Sequence, residues 1–217
     1  MGKLDYKTFY RRHLPHFQPP GATLFVTFRL AGSIPKSVLE RWAAENRSHQ
    51  KKSRSDVGQA SSLSSAFQRR QFVEYEKLLH QAVCGPLWLR DPEVASIVSD
   101  AITFRDSQTY ALDAYCVMPN HVHVVLAPLV TGGRDEDPAS LASIMHSVKS
   151  YTANEANGVL NRRGSFWEHE NFDRAIRDEE EWLRTIAYVL NNPVKAGLVE
   201  NWQDWAHSYC RPELAAE

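Results

Sequence analysis

No stretch of about 18 consecutive apolar residues occurs in the 217-residue chain, so it offers no candidate transmembrane helix. Residues 1–18 are polar and basic with no apolar centre, and no secretory signal is expected from them. Cysteine is scarce. Cys84, Cys116 and Cys210 are odd in number and far apart, which excludes a cysteine-based zinc cluster and points to reduced thiols in a cytoplasmic protein. Neither sign of charge dominates, because 25 Lys and Arg stand against 26 Asp and Glu. Bulk electrostatics therefore announce no nucleic-acid partner. The basic residues do fall in groups, namely Arg11-Arg12-His13, residues 47–54, Arg69-Arg70 and Arg162-Arg163. The ordinary fate of such a group is a solvated face. There are no internal repeats, and the length and apolar content suit one domain with a sizeable core.

Residues 1–21 read as an N-terminal arm in which Tyr6, Phe9 and Tyr10 interleave with Arg11 and Arg12, a pattern that suits stacking on bases as well as packing on the domain. Residues 22–30 alternate as a central strand. A helix is expected from Pro35 to about Asn46, then a flexible polar insertion over 47–66. Further helices are expected over 67–83, closed by Gly85-Pro86, and over 92–104, capped by Asp91. A strand follows over 108–117, with Tyr110, Leu112, Ala114 and Cys116 on one face. After the 131–137 acidic loop come a helix over about 138–158, a strand within 165–176 and a helix over 178–191. Trp202 and Trp205 close a C-terminal helical extension, residues 178–217.

The central motif is His121-Val122-His123-Val124-Val125-Leu126. It reads as a strand that either pairs antiparallel with the one before it or forms one bent strand with it. Alternation puts His121 and His123 on one face, a good start for a divalent metal site. On the helix over 138–158, Tyr151 and Glu155 are four residues apart and share a face. If that helix packs beside the histidines, Glu155 becomes a third ligand, with Asn154 the competing oxygen donor. Two imidazoles and a carboxylate leave coordination positions open for chemistry on a phosphate. Tyr151 would then attack phosphorus, and Lys149 would help neutralise developing charge.

Residues 118–125 (MPNHVHVV) resemble the histidine–hydrophobic–histidine motif of the HUH endonuclease superfamily. Residues 149–157 (KSYTANEAN) resemble the tyrosine helix of its single-tyrosine transposases. Two more stretches, Phe166-Trp167-Glu168 through Arg177-Asp178-Glu179-Glu180 and residues 188–199 (YVLNNPVKAGLV), are similar to those of one branch, the REP-associated tyrosine transposases. Pro15-His16-Phe17 and residues 23–29 fit as well, so the resemblance spans nearly the whole chain.

The resemblance implies an α+β fold, a ferredoxin-like or RRM-like antiparallel sheet with helices packed on one face. It implies Mg²⁺ or Mn²⁺ at His121, His123 and Glu155, and Tyr151 as nucleophile. It also implies cleavage and rejoining of single-stranded DNA at or near palindromic REP-type hairpins, through a 5′-phosphotyrosine intermediate, in a bacterial cytoplasm at the nucleoid. Arg11, Arg12, Lys149, Arg174 and Lys195 are the expected phosphate contacts. Minimal relatives are dimers that share the tyrosine helix; the C-terminal residues here favour a monomer that completes its own site. A second reading keeps the fold as a hairpin-DNA binder without cleavage. A third, a cupin-like oxygenase built on His-x-His, needs a carboxylate soon after His123, and residues 124–129 have none.

Overall fold

The computed structural model describes residues 9–11, 15–17, 19, 21–55, 60–130 and 139–214, with backbone alone for 9–17 and 49–68. Its centre is a five-stranded antiparallel sheet. The elements in chain order are β1 (Phe9–Arg11), β2 (Pro15–Phe17), β3 (Leu24–Arg29), α1 (Lys36–Ser55), α2 (Ala60–Gln81), α3 (Pro92–Phe104), β4 (Tyr110–Met118), β5 (His121–Pro128), α4 (Leu141–Val159), β6 (Phe172–Ala175), α5 (Glu179–Leu190), α6 (Asn192–Lys195) and β7 (Ser208–Cys210). The sheet order is β6-β3-β5-β4-β7, and β1 and β2 form a separate hairpin.

The expected α+β class and antiparallel sheet are present, but helices cover both faces rather than one. Every residue of β3 is buried, as befits a strand enclosed on both sides. On one face Leu24, Val26, Phe28, Val122, Val124 and Leu126 pack against Val94, Val98 and Ile102 of α3 and Leu141, Ile144, Met145 and Val148 of α4. On the other, Phe25, Val125, Ala114 and Cys116 pack against Trp42 of α1, Tyr75 and Leu79 of α2, and Ile186 and Val189 of α5. Helices α1, α2 and α5 are what cover the second face.

Two further differences have local causes. The stretch read as a flexible insertion is mostly helical, because α1 runs on to Ser55 and α2 starts at Ala60. Its polar composition hid helices that the apolar residues at their outer ends anchor. In β4 the register shifts between Leu112 and Ala114. Such a bulge reverses the alternation, so Tyr110 and Leu112 face α3 and α4 while Ala114 and Cys116 face the other way. Asp91 caps α3 as expected, accepting from the Glu93 amide at 3.0 Å. The C-terminal segment is not purely helical, since β7 returns to the sheet edge beside β4. The acidic loop, residues 131–137, lies outside the described residues, as do residues 1–8 of the arm.

Candidate active site

His121 and His123 project from β5 toward α2 and α5, the face opposite Val122 and Val124. The two residues are 1% and 0% exposed, and their Nε2 atoms lie 3.0 Å apart. Two ring nitrogens at that distance repel unless a proton or a cation lies between them. Burial drives both imidazoles toward the neutral form, His121 well below its usual range and His123 down to about 3. Neutral imidazole is the form that binds metal.

The hydrogen bonds behind the rings aim them. Asn120 Nδ2 donates to the Leu79 carbonyl at 3.0 Å, so its Oδ1, 2.6 Å from His121 Nδ1, is the acceptor there. That puts the proton on Nδ1 and leaves Nε2 as the lone pair. Thr27 Oγ1 stands 2.9 Å from His123 Nδ1 and holds the second ring in place. Outer contacts of this kind fix the tautomer and orientation of metal-binding histidines.

Helix α2 brings two more donors. Glu76 and His80 are four residues apart and therefore share a face. Glu76 Oε2 lies 3.3 Å from His123 Nε2, and the His80 and His121 ring centroids are 5.7 Å apart. One ligand atom from each of Glu76, His80, His121 and His123 falls within 4.8 Å of the others. Asn192 Nδ2 donates to the Tyr188 carbonyl at 2.8 Å, so Asn192 Oδ1, 2.6 Å from His80 Nε2, accepts from that ring and Nδ1 is the nitrogen left to bind. Gly85 holds the end of α2 against the chain after β3. A Cβ there would meet the Gly32 oxygen at 2.5 Å, and the φ of +79° suits glycine besides. Three imidazoles and one carboxylate form a set that can hold a divalent ion.

A tyrosine completes the cluster. Tyr188 of α5 donates its hydroxyl to Glu76 Oε2, and its ring centroid is 5.7 Å from that of His123. The Lys195 ammonium lies 4.8 Å from the centroid of the Tyr188 ring. Burial pushes the Glu76 carboxyl up to about 8, against the lowering effects of the Tyr188 hydrogen bond and the Lys195 charge.

The constellation expected around Tyr151 is not assembled. Helix α4 buries its apolar stripe on the sheet face opposite the histidines. Tyr151 is 51% exposed and Glu155 and Asn154 are exposed too; the Tyr151 ring meets Arg105, which caps the end of α3, 5.7 Å from its centroid. The shared face of Tyr151 and Glu155 thus points to solvent, and the carboxylate beside His123 is Glu76. Lys149 is not free for a phosphate either, because its Nζ donates to the carbonyls of Glu168 at 2.7 Å and His169 at 3.3 Å. Arg174 is engaged with Glu181 at 2.6 Å and Thr185 at 3.0 Å. Of the expected DNA contacts, Lys195 stands at the cluster, Arg11 is described in backbone only and Arg12 lies outside the described residues.

Sequence reasoning missed Glu76, His80 and Tyr188. The signals were a carboxylate and a histidine at i and i+4 on an amphipathic helix, and a tyrosine opening the 188–199 motif that had been read for its family likeness alone.

No family model matches the chain. A Haemophilus influenzae protein named "Putative REP-associated tyrosine transposase" is 28% identical over 117 residues, 48% of this chain and 61% of that protein. The REP-associated tyrosine transposase of Escherichia coli K12 is 28% identical over 115 residues, 52% of this chain and 62% of that protein. The chain thus spans about three fifths of the length of the curated relatives it matches. A solved REP-associated tyrosine transposase bound to a REP hairpin aligns with 92% of this chain and 80% of its own, at 18% identity and a TM-score of 0.48, too remote to carry an argument. Over about half of its length, the chain is thus similar in sequence to proteins named REP-associated tyrosine transposases.

Proposed function

We propose that the chain is a metal-dependent endonuclease and transposase acting on single-stranded DNA at or near REP-type hairpins, with Tyr188 as its nucleophile. The observation that carries this reading is the Tyr188 hydroxyl donating to Glu76 within the buried histidine cluster. The catalytic groups are Tyr188 and Glu76; His80, His121 and His123 are the remaining ligands.

Tyr188 Oη attacks phosphorus, the bond from phosphorus to the 3′-oxygen breaks, and a 5′-phosphotyrosine and a free 3′-OH result. With Glu76 ionised, the phenol proton passes to its Oε2, the hydrogen-bond partner, and the same proton then goes from Glu76 to the departing 3′-oxygen. One phosphate ester replaces another, so the reverse attack by a 3′-OH rejoins DNA with no external energy source. A divalent ion held by the cluster would polarise the phosphodiester and stabilise charge on the leaving oxygen. Nitrogen dominates the donor set, which favours Mn²⁺ over Mg²⁺, a cation that prefers oxygen. Lys195, exposed at the rim, supplies positive charge where the phosphate enters. Tyrosine and ligands come from one chain, which supports a monomer as the acting unit.

The test uses labelled oligonucleotides carrying palindromic hairpins, with Mn²⁺, Mg²⁺ or EDTA, and wild type, Tyr188→Phe and Tyr151→Phe proteins. The expected result is a metal-dependent covalent adduct in wild type and Tyr151→Phe, absent in Tyr188→Phe. An adduct persisting in Tyr188→Phe overturns the nucleophile. Hairpin binding with no adduct in any metal leaves a non-cleaving DNA binder.

A further inference from the structure

Beside the histidine cluster, at the same end of the sheet, several buried polar atoms make no hydrogen bond, one of them, Arg29 Nη1, held only by an ion pair. Arg29 Nη1, Gln71 Nε2 and Oε1, Tyr75 Oη and Glu76 Oε1 are all buried and make no hydrogen bond. Leaving such atoms unmatched is costly, and in a native fold they mark a place that a ligand or an ordered water completes.

The placement of these residues is specific. Arg29 is the last residue of β3 and pairs directly with His121 across the sheet, so its side chain leaves the face that carries the histidines. The Arg29 side chain is 4% exposed, and Nη1 lies 3.3 Å from Glu168 Oε2, whose side chain is 31% exposed. A buried guanidinium thus leans on a carboxylate that water reaches. Gln71 and Tyr75 lie one turn apart on α2, immediately before Glu76. The Tyr75 ring packs between Trp42, with centroids 6.2 Å apart, and Phe172, 5.9 Å apart. Burial raises the pKa of its hydroxyl, the Arg29 charge works against that rise, and the Glu76, Glu170 and Glu168 carboxylates add to it.

Three of the unmatched atoms, on Arg29, Gln71 and Tyr75, are donors. Unbonded buried donors that include a guanidinium fit an oxyanion, and the fork of an arginine suits phosphate above other anions. Glu76 Oε1, the unmatched carboxylate atom, belongs to the metal-binding set. We infer that Arg29, Gln71 and Tyr75 form a subsite for one phosphodiester group of the strand whose neighbouring linkage is cleaved at the histidine cluster. The inference rests on the DNA reading above. Holding the adjacent linkage orients the scissile one toward Tyr188, so Arg29 and Tyr75 act as positioning residues. The unmatched donors keep the free fold below its best stability in exchange for a ready anion site.

The experiment measures hairpin-oligonucleotide binding by wild type, Arg29→Gln and Tyr75→Phe, with single methylphosphonate linkages placed in turn along the strand. Thermal melting of each free protein runs in parallel. In wild type, one linkage is expected to lose about tenfold in affinity when neutralised, the scale of a lost charged hydrogen bond. In Arg29→Gln the same neutralisation costs nothing further. Tyr75→Phe, which only deletes an unmatched hydroxyl, is expected to melt no lower than wild type while binding several-fold more weakly. Equal losses in wild type and Arg29→Gln at every linkage overturn the subsite, as does a Tyr75→Phe protein that melts lower and binds unchanged. Wild type that binds no hairpin at any linkage pattern overturns the DNA reading itself, an outcome distinct from a flat linkage profile on a protein that binds.

Discussion

At the scale of single residues, Glu76 is the pivot, since one carboxylate touches Tyr188, His123 and the ion position at once. In the metal-free protein its folded-state proton is held up to about pH 8, against an ordinary 4.5. Between those values the folded chain keeps a proton that the unfolded chain has lost. Glu76 therefore favours the folded state least at high pH, with a slope of about 1.4 kcal/mol per pH unit while both limits hold. Glu76→Gln cannot lose that proton. In EDTA, the variant is expected to gain stability relative to wild type as pH rises from about 5 to about 8, read by melting at each pH. The difference between the two proteins removes the buried histidines, which act in both alike. A constant gap across that range would mean that Glu76 is ionised in the folded protein. With metal the same substitution works the other way: it removes an anionic ligand, and calorimetric titration with Mn²⁺ should show affinity lowered about 10- to 100-fold. Mn²⁺ is expected to bind wild type more tightly than Mg²⁺, because imidazoles make up most of the donors.

Among the elements, α5 is the one whose placement the chemistry needs most, because it carries Tyr188 to the face where α2 lies. Its start is fixed by Asp178, whose side chain accepts from the Glu181 amide at 2.8 Å, with three acidic residues in the first turn suited to the helix dipole. Asp178→Ala should cost about 1 kcal/mol of stability, seen as a lowered denaturation midpoint. Because its other end is held by Asn192 and the packing of Ile186 and Val189, the adduct with Tyr188 should still form at low temperature. This start was legible in the sequence, as were the Asp91 cap and the strand of alternating histidines, which depend on residues within one turn or one strand; for β4 and β5 the sequence left antiparallel pairing and one bent strand both open, and the structure has the pairing. What was not legible depends on which face of the sheet a helix chooses. Tyr151 and Glu155 do share a face of α4, but only the packing of Leu141, Ile144 and Met145 over Val122 and Val124 reveals that this helix lies across the sheet from the histidines. Likewise the spacing of Glu76 and His80 was visible, and nothing local said that α2 would lay it over β5. The Asp113 bulge, which reverses half of β4, has no signature in alternation alone.

For the whole molecule, the decisive fact is that α2, β5 and α5 of one chain supply tyrosine and candidate ligands together. The pairs Glu76–His123, His123–Tyr188 and Glu76–Tyr188 are 47, 65 and 112 positions apart, closed within a single fold, and the sheet order β6-β3-β5-β4-β7 puts β5 at its centre. A site shared between subunits would let two defective proteins repair one another, because a mixed dimer assembles one intact tyrosine with one intact ligand set. A site closed within a chain gives no such repair. His123→Ala and Tyr188→Phe, each inactive in forming the covalent adduct, are therefore expected to stay inactive when mixed in equal amounts, even after joint unfolding and refolding. Adduct recovered to about a quarter or more of the wild-type level, the share of complementary pairings that random dimers produce, would show that α5 crosses between subunits. The same mixture read by gel filtration separates the two cases again, since a chain that completes its own site acts at the size of a monomer.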